Sequence, residues 1–198
     1  GTFKDPNVLG SYLALPIVYV LQRVMTGQIG IMRGLVTLSI PLAAVFFAFS
    51  RGAWGVLAVS TALMTALTFL TAPSAAARAR IVAMSVVALV AVIAALLVAL
   101  SFEEVRAIFE LRASLVQDYD GGVTGRFGNQ WRAIPMLLEA PNGLGPLRFR
   151  WHFNQADPHN VYINAFASYG WLGGLAWLGL TVATCYVGWR LVFRRGST

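Results

Sequence analysis

Long apolar runs, separated by short polar breaks, dominate the chain. Five stand out, at roughly Val8–Met25, Leu35–Phe49, Ala53–Ala72, Ile81–Phe102 and Val161–Phe193. None shows the one-sided apolar stripe of a helix in a soluble domain; they read as apolar all round. A helix that is apolar on every face and about 17–25 residues long suits the hydrocarbon core of a bilayer. The pattern predicts an all-α polytopic membrane protein of about five transmembrane helices. The second run is short and holds Pro41, which predicts a kinked helix or one supported by its neighbours. The fifth is longer than a span needs. Its first turns are expected at the interface, with the crossing part near Trp171–Phe193.

The polar positions gather in one large loop, Glu103–Asp157. Within it, Phe102–Val116 has helical spacing, with Glu103, Arg106 and Glu110 on one face and Val105, Ile108 and Phe109 on another. Gln117–Gly125 is rich in turn residues. Arg126–Glu139 predicts a second short helix, bent at Pro135, and Ala140–Gly145 a further turn. The organisation expected is therefore four membrane helices over 1–102, the loop with its short helices over 103–158, and, over 159–198, an interfacial turn, the last membrane helix and a basic tail.

Composition strengthens this picture. Hydrophobic residues make up 58% of the 198 positions and charged residues 12%, about half the usual share in a soluble domain. Mean hydropathy is +0.68. The chain opens Gly1-Thr2-Phe3 with no basic segment before a cleavable apolar one, so no signal peptide is expected and the start reads as an internal cut in a longer protein. Cys185 is the single cysteine, which leaves no disulfide within the chain; it is expected to be a small buried packing residue.

The net charge of +7 is explained by topology. With Pro73–Arg80 and the C-terminus in the cytoplasm, that side holds Arg23, Arg33, Arg78, Arg80, Arg190, Arg194 and Arg195 and no acid. All the acidic residues fall on the other side, balanced by Lys4, Arg51, Arg106, Arg112, Arg126, Arg132, Arg148 and Arg150. This satisfies the positive-inside rule. It argues against nucleic-acid binding and puts the large loop on the outer, periplasmic face of a bacterial inner membrane.

Candidate chemistry lies on that outer side. Ser50-Arg51-Gly52 sits between two apolar runs. An arginine near hydrocarbon is costly, so Arg51 is either a functional group or a side chain that snorkels to headgroup phosphates. Gly125-Arg126-Phe127, followed by Trp131 and Arg132, opens a helix. Its guanidinium forks suit phosphate oxygens, the alternative being ordinary pairing with Asp118, Asp120 or Glu139. Asp157-Pro158-His159-Asn160 reads as a helix start, with Asp157 as N-cap and Pro158 at the first helical position. His159 would then lie in the first turn, where the positive helix end keeps an imidazole neutral and able to accept a proton; the alternative is an interfacial histidine without chemistry. His152 lacks such a start signal. Asp118-Tyr119-Asp120 has a metal-binding form but reads as a solvated turn, and Gly170, Gly173, Gly174 and Gly179 read as helix-packing positions.

Taken in order, these motifs resemble the bacterial O-antigen ligase and O-antigen polymerase superfamily. The residues that carry the resemblance are Phe3-Lys4-Asp5-Pro6-Asn7, Phe49-Ser50-Arg51-Gly52, Gly125-Arg126 with Trp131, and Pro141-Asn142-Gly143-Leu144-Gly145. The most specific is His159-Asn160 followed after nine residues by Gly170-Trp171-Leu172-Gly173. The resemblance spans nearly the whole chain and corresponds to the C-terminal half of family members. It implies a GT-C-like membrane glycosyltransferase that needs no metal or other cofactor and inverts the sugar. Its donor would be a glycan on undecaprenyl diphosphate and its acceptor a hydroxyl of lipid A-core or of another glycan. His159 would be catalytic, Arg51 and Arg126 would bind the diphosphate, and Asn160 and Arg132 would support them. A polymerase joining lipid-linked repeats is the alternative within the family. A transporter or noncatalytic membrane partner is the alternative outside it, disfavoured because the spans hold almost no ionisable residues.

Overall fold

The computed structural model describes residues 6–113, 125–153, 158 and 160–194, and among these it contains helices and no strand. The helices are α1 (Pro6–Met25), α2 (Ile31–Phe47), α3 (Arg51–Leu70), α4 (Ala75–Leu100), α5 (Glu103–Ala113), α6 (Arg126–Leu138), α7 (Phe149–His152) and α8 (Val161–Arg194). Among the described residues, four stretches are long and apolar enough to cross a membrane: Val8–Met25, Arg51–Leu70, Ala75–Leu100 and Val161–Arg194. The all-α polytopic class is thus the observed one. The remaining apolar helix, α2, has 17 residues. At 1.5 Å per residue that is about 26 Å, just short of a hydrocarbon core of about 30 Å. The chain forms two compact units, one containing α1–α5 and the other α6–α8.

In the first unit α1 packs against α2, α3 and α4. Gly10 lets α1 approach α3 closely, because a side chain there would collide with the methyl of Ala53. Ile17, Leu38, Val45 and Ala53 form the buried centre, with Leu13, Leu42, Trp54 and Leu57 packed around it. A second cluster joins Met25, Ala72 and Ile81. Helix α1 ends where Gly27 turns left-handed at φ +79°. The Gln28 N–H donates to the Arg23 carbonyl at 2.8 Å and the Gly27 N–H to the Val24 carbonyl at 3.1 Å. Arg80 of α4 adds Nη2 to the Val24 carbonyl at 3.2 Å, a cation on the negative end of α1. Helix α4 starts on Ser74, whose Oγ accepts from the Ala77 N–H, and exposes Val82, Val86, Val90 and Leu97 along its length. Helix α5 is amphipathic. Its polar face carries an Arg106–Glu110 pair at 2.8 Å, whose hydrogen bond and charge hold the Arg106 guanidinium above its ordinary pKa.

In the second unit Ala133, Leu137, Phe149, Phe153 and Ala167 form the buried centre, joining α6, α7 and the first part of α8. Helix α8 is broken at Gly170, whose φ of 69° and ψ of −166° are non-helical. The stretch after the break, Trp171–Arg194, is about 36 Å long by helical rise. Cys185 lies on this stretch and is exposed, not buried as expected. The stretch is apolar on all sides, so its sequence marks no face for burial.

Candidate functional site

The Ser-Arg element of the first unit is held by a rearranged helix end. At the end of α2, Phe49 adopts a left-handed φ of 46°, which is costly for a residue with a side chain. Its N–H turns to the Phe46 carbonyl at 3.2 Å. The Val45 carbonyl, which would have taken that N–H in a continued helix, accepts instead from the indole Nε1 of Trp54 at 3.0 Å. Ser50 is buried and caps α3, its Oγ accepting from the Ala53 N–H at 3.1 Å. Arg51 is therefore the first residue of α3 and half-buried. Trp54 stacks on Phe109 of α5 at 5.3 Å and lies 6.5 Å from Phe46. The turn that carries Arg51 is thus walled by aromatic rings and fixed from both sides.

In the second unit Arg126 opens α6, after Gly125 in extended backbone; the Arg126 side chain is outside the described part of the structure. One turn on, Gln130 donates from Nε2 to the Pro158 carbonyl at 2.8 Å, across 28 residues of sequence. Pro158 is buried and is not in a helix. Asn160 caps α8: its Oδ1 accepts from the N–H groups of Tyr162 at 3.0 Å and Ile163 at 3.2 Å, and its carbonyl accepts from Asn164. The expectation that Asp157 caps this helix and Pro158 begins it is corrected. Asn160 competes better because its side chain satisfies two of the first-turn N–H groups. The helix begins at Val161. His159 itself, like Asp157 and the Asp118-Tyr119-Asp120 segment, lies outside the described residues. Arg132 sets its guanidinium 5.6 Å from the Phe153 ring, and His152 ends α7 in an exposed position.

Two glycine motifs meet in this unit. In an unbroken α8 the Trp171 N–H would donate to the Ala167 carbonyl. The Trp171 N–H donates instead to Pro141 O at 2.9 Å, and Ala167 O accepts from Leu144 N–H at 2.7 Å. The 141–144 turn thus takes both halves of the broken helical bond, and no backbone group is orphaned. The exchange requires Gly143, at φ 74°, to lie against Gly170; a Cβ on Gly143 would stand 2.5 Å from the Gly170 nitrogen, and one on Gly170 would overlap the Pro141 carbonyl. The Trp171 indole closes the joint by donating to the Leu137 carbonyl of α6 at 2.9 Å.

Gln130 and Trp171 are the positioning groups that the sequence reading missed. The signal for Gln130 was its place one helical turn after Arg126. Among the described residues no group of three His, Cys, Asp or Glu side chains converges as metal ligands do. The first unit presents Arg51 at the start of α3, and the second presents Arg126 at the start of α6, with Pro158 and Asn160 each held by hydrogen bonds.

No curated protein and no solved structure shows a significant match to the chain. Residues 36–178 match the protein family described as O-antigen ligase. The matched stretch runs from α2 into the crossing part of α8 and includes the arginine turns, the capped segment and both interlocked glycine motifs. The chain thus belongs to the O-antigen ligase family, multi-pass membrane enzymes of ligase and polymerase type that act on lipid-linked glycans.

Proposed function

We propose that the protein is an O-antigen ligase that moves a glycan from undecaprenyl diphosphate to a sugar hydroxyl of lipid A-core at the periplasmic face of the inner membrane, with its C-terminus in the cytoplasm. The observation that carries this reading is the Gln130–Pro158 hydrogen bond. Helix α6 begins with Arg126, and Arg126, Gln130, Ala133 and Leu137 follow the i, i+4, i+7, i+11 spacing of one helical row. Ala133 and Leu137 of that row are buried against the segment that includes Phe153. This tie between α6 and the residue before His159 supports a reading in which Arg126 and His159 serve one site.

The chemistry follows from these groups. The acceptor hydroxyl oxygen attacks the anomeric carbon while His159 takes the hydroxyl proton. The bond from that carbon to the diphosphate oxygen breaks, and the electron pair leaves with undecaprenyl diphosphate. Attack opposite the leaving group inverts the anomeric configuration. Arg51 and Arg126 stabilise the charge that grows on the diphosphate, the place a metal ion takes in other transferases; loss of one such donor costs about 10²–10³ in rate. An imidazole, with an ordinary pKa of about 6.5, is a side chain suited to taking a proton near pH 7. General-base assistance contributes about 10²–10⁴. Asn160, the residue after the base, caps α8, and Arg132 lies against the Phe153 ring.

The test is single replacement of Arg51, Arg126 and His159 by alanine in the full-length protein, with lipopolysaccharide banding in cells as readout. Each loss should remove the long-chain ladder while long lipid-linked chains accumulate. Normal ladders from His159→Ala refute the base assignment, and accumulation of single repeats on the core assigns the protein as a polymerase.

A further inference from the structure

Helix α6 has a second row that the proposed chemistry does not use. Phe127, Trp131, Ile134 and Leu138 follow each other at i, i+4, i+7 and i+11 and are 54%, 74%, 42% and 63% exposed. Exposed bulky side chains on one face of a helix in a polar loop mark a contact surface. The helix also carries Arg126 and Arg132 and no acidic residue between Arg126 and Leu138. An aromatic-rich apolar stripe beside arginines is the composition of a helix that lies in a membrane interface.

The end of α6 fixes its level. The Leu137 carbonyl accepts from the indole of Trp171, and Trp171 is the first residue after the Gly170 break, where the long apolar crossing stretch of α8 begins. Tryptophan at such a place belongs to the aromatic belt of the bilayer. Leu138, at the end of the exposed row, is therefore tied to the level at which α8 enters the hydrocarbon. Leu172 and Leu175 continue the exposed apolar surface on α8 itself. We infer that α6 is an interfacial helix whose Phe127–Trp131–Ile134–Leu138 stripe is seated in the acyl-chain boundary of the outer leaflet. This holds whichever glycan is transferred, and it places the start of α6 at the depth of lipid phosphates.

The experiment uses the full-length protein in nanodiscs of phosphatidylethanolamine and phosphatidylglycerol. Trp131→Cys and Leu138→Cys, each as the sole cysteine of the protein, carry an environment-sensitive fluorophore. Quenching is compared between acyl-chain-brominated lipids and aqueous iodide. A protein that keeps Cys185, exposed on the crossing stretch, as its sole cysteine serves as the lipid reference. Seating in the leaflet predicts bromolipid quenching within about twofold of that reference and at least about a fivefold loss of iodide quenching relative to free dye. Strong iodide quenching overturns the inference, because the stripe then faces water. Shielding from both quenchers also overturns it, because another protein segment then covers the stripe.

Discussion

Replacing Gln130 by methionine keeps the length of the side chain and removes its donor. The Pro158 carbonyl then loses its partner in a buried setting. A hydrogen bond of this kind is worth about 0.5–1.5 kcal/mol net, and a buried acceptor left unpaired costs about 1–3 kcal/mol. Much of that cost is avoided if the 158 segment swings to water, which carries the adjacent His159 with it. Displacement of a catalytic group by about 1 Å costs on the order of 10²-fold in rate. The expected outcome is a kcat about 10–100-fold lower with the donor KM nearly unchanged. The assay is glycan transfer by the full-length protein in nanodiscs, with purified lipid-linked donor and acceptor. A Gln130→Glu variant sharpens the test. Its carboxylate cannot donate, whereas the protonated acid can, so the ratio of variant to wild-type kcat should rise as pH falls towards 5. A Gln130→Met protein that transfers at the wild-type rate while His159→Ala is inactive refutes the positioning role and leaves the base assignment standing.

Gly170→Ala is expected to prevent stable folding of the second unit, because the added methyl meets the Pro141 carbonyl and the backbone lies where side chains are strained; recovery of monodisperse protein in detergent measures it. Asn160→Ala should destabilise by about 1 kcal/mol through loss of the cap, and Asp157→Ala by much less, as read from thermal unfolding midpoints. Trp54→Phe keeps the ring near Phe109 but frees the Val45 carbonyl. It should cost about 1 kcal/mol and lower transfer by loosening the turn that carries Arg51, measured by unfolding and by kcat together.

The class of fold was legible because the bilayer imposes it. Backbone polar groups cannot be left unpaired in hydrocarbon, so an apolar run of sufficient length has little choice but a helix. The same logic found α4 and the crossing part of α8 from composition alone, and the helical spacing in Phe102–Val116 found α5. The fate of Cys185 was not legible, because a helix apolar on every side gives no signal of which face meets protein and which meets lipid.

The start of α8 shows where local preference stops deciding. Asp157-Pro158 is a strong helix start in isolation, yet Asn160 caps the helix, and Pro158 is held outside it by a hydrogen bond from Gln130. That bond joins residues far apart in sequence, and no periodicity announces it.

The residue order by itself determined that the protein is a polytopic all-α membrane protein, that its acidic residues are confined to segments expected on one side of the bilayer, and that Arg51, Arg126 and His159 are its candidate reactive groups. Those properties are set by hydrophobicity and charge, which act on each segment alone. Only the tertiary structure decided that the 141–144 turn completes the broken helical bond of α8, that Trp54 takes an orphaned carbonyl of α2, and that α6 grips the residue before His159. Each of these is a choice of hydrogen-bond partner, and a partner is chosen by whatever the fold brings within about 3 Å.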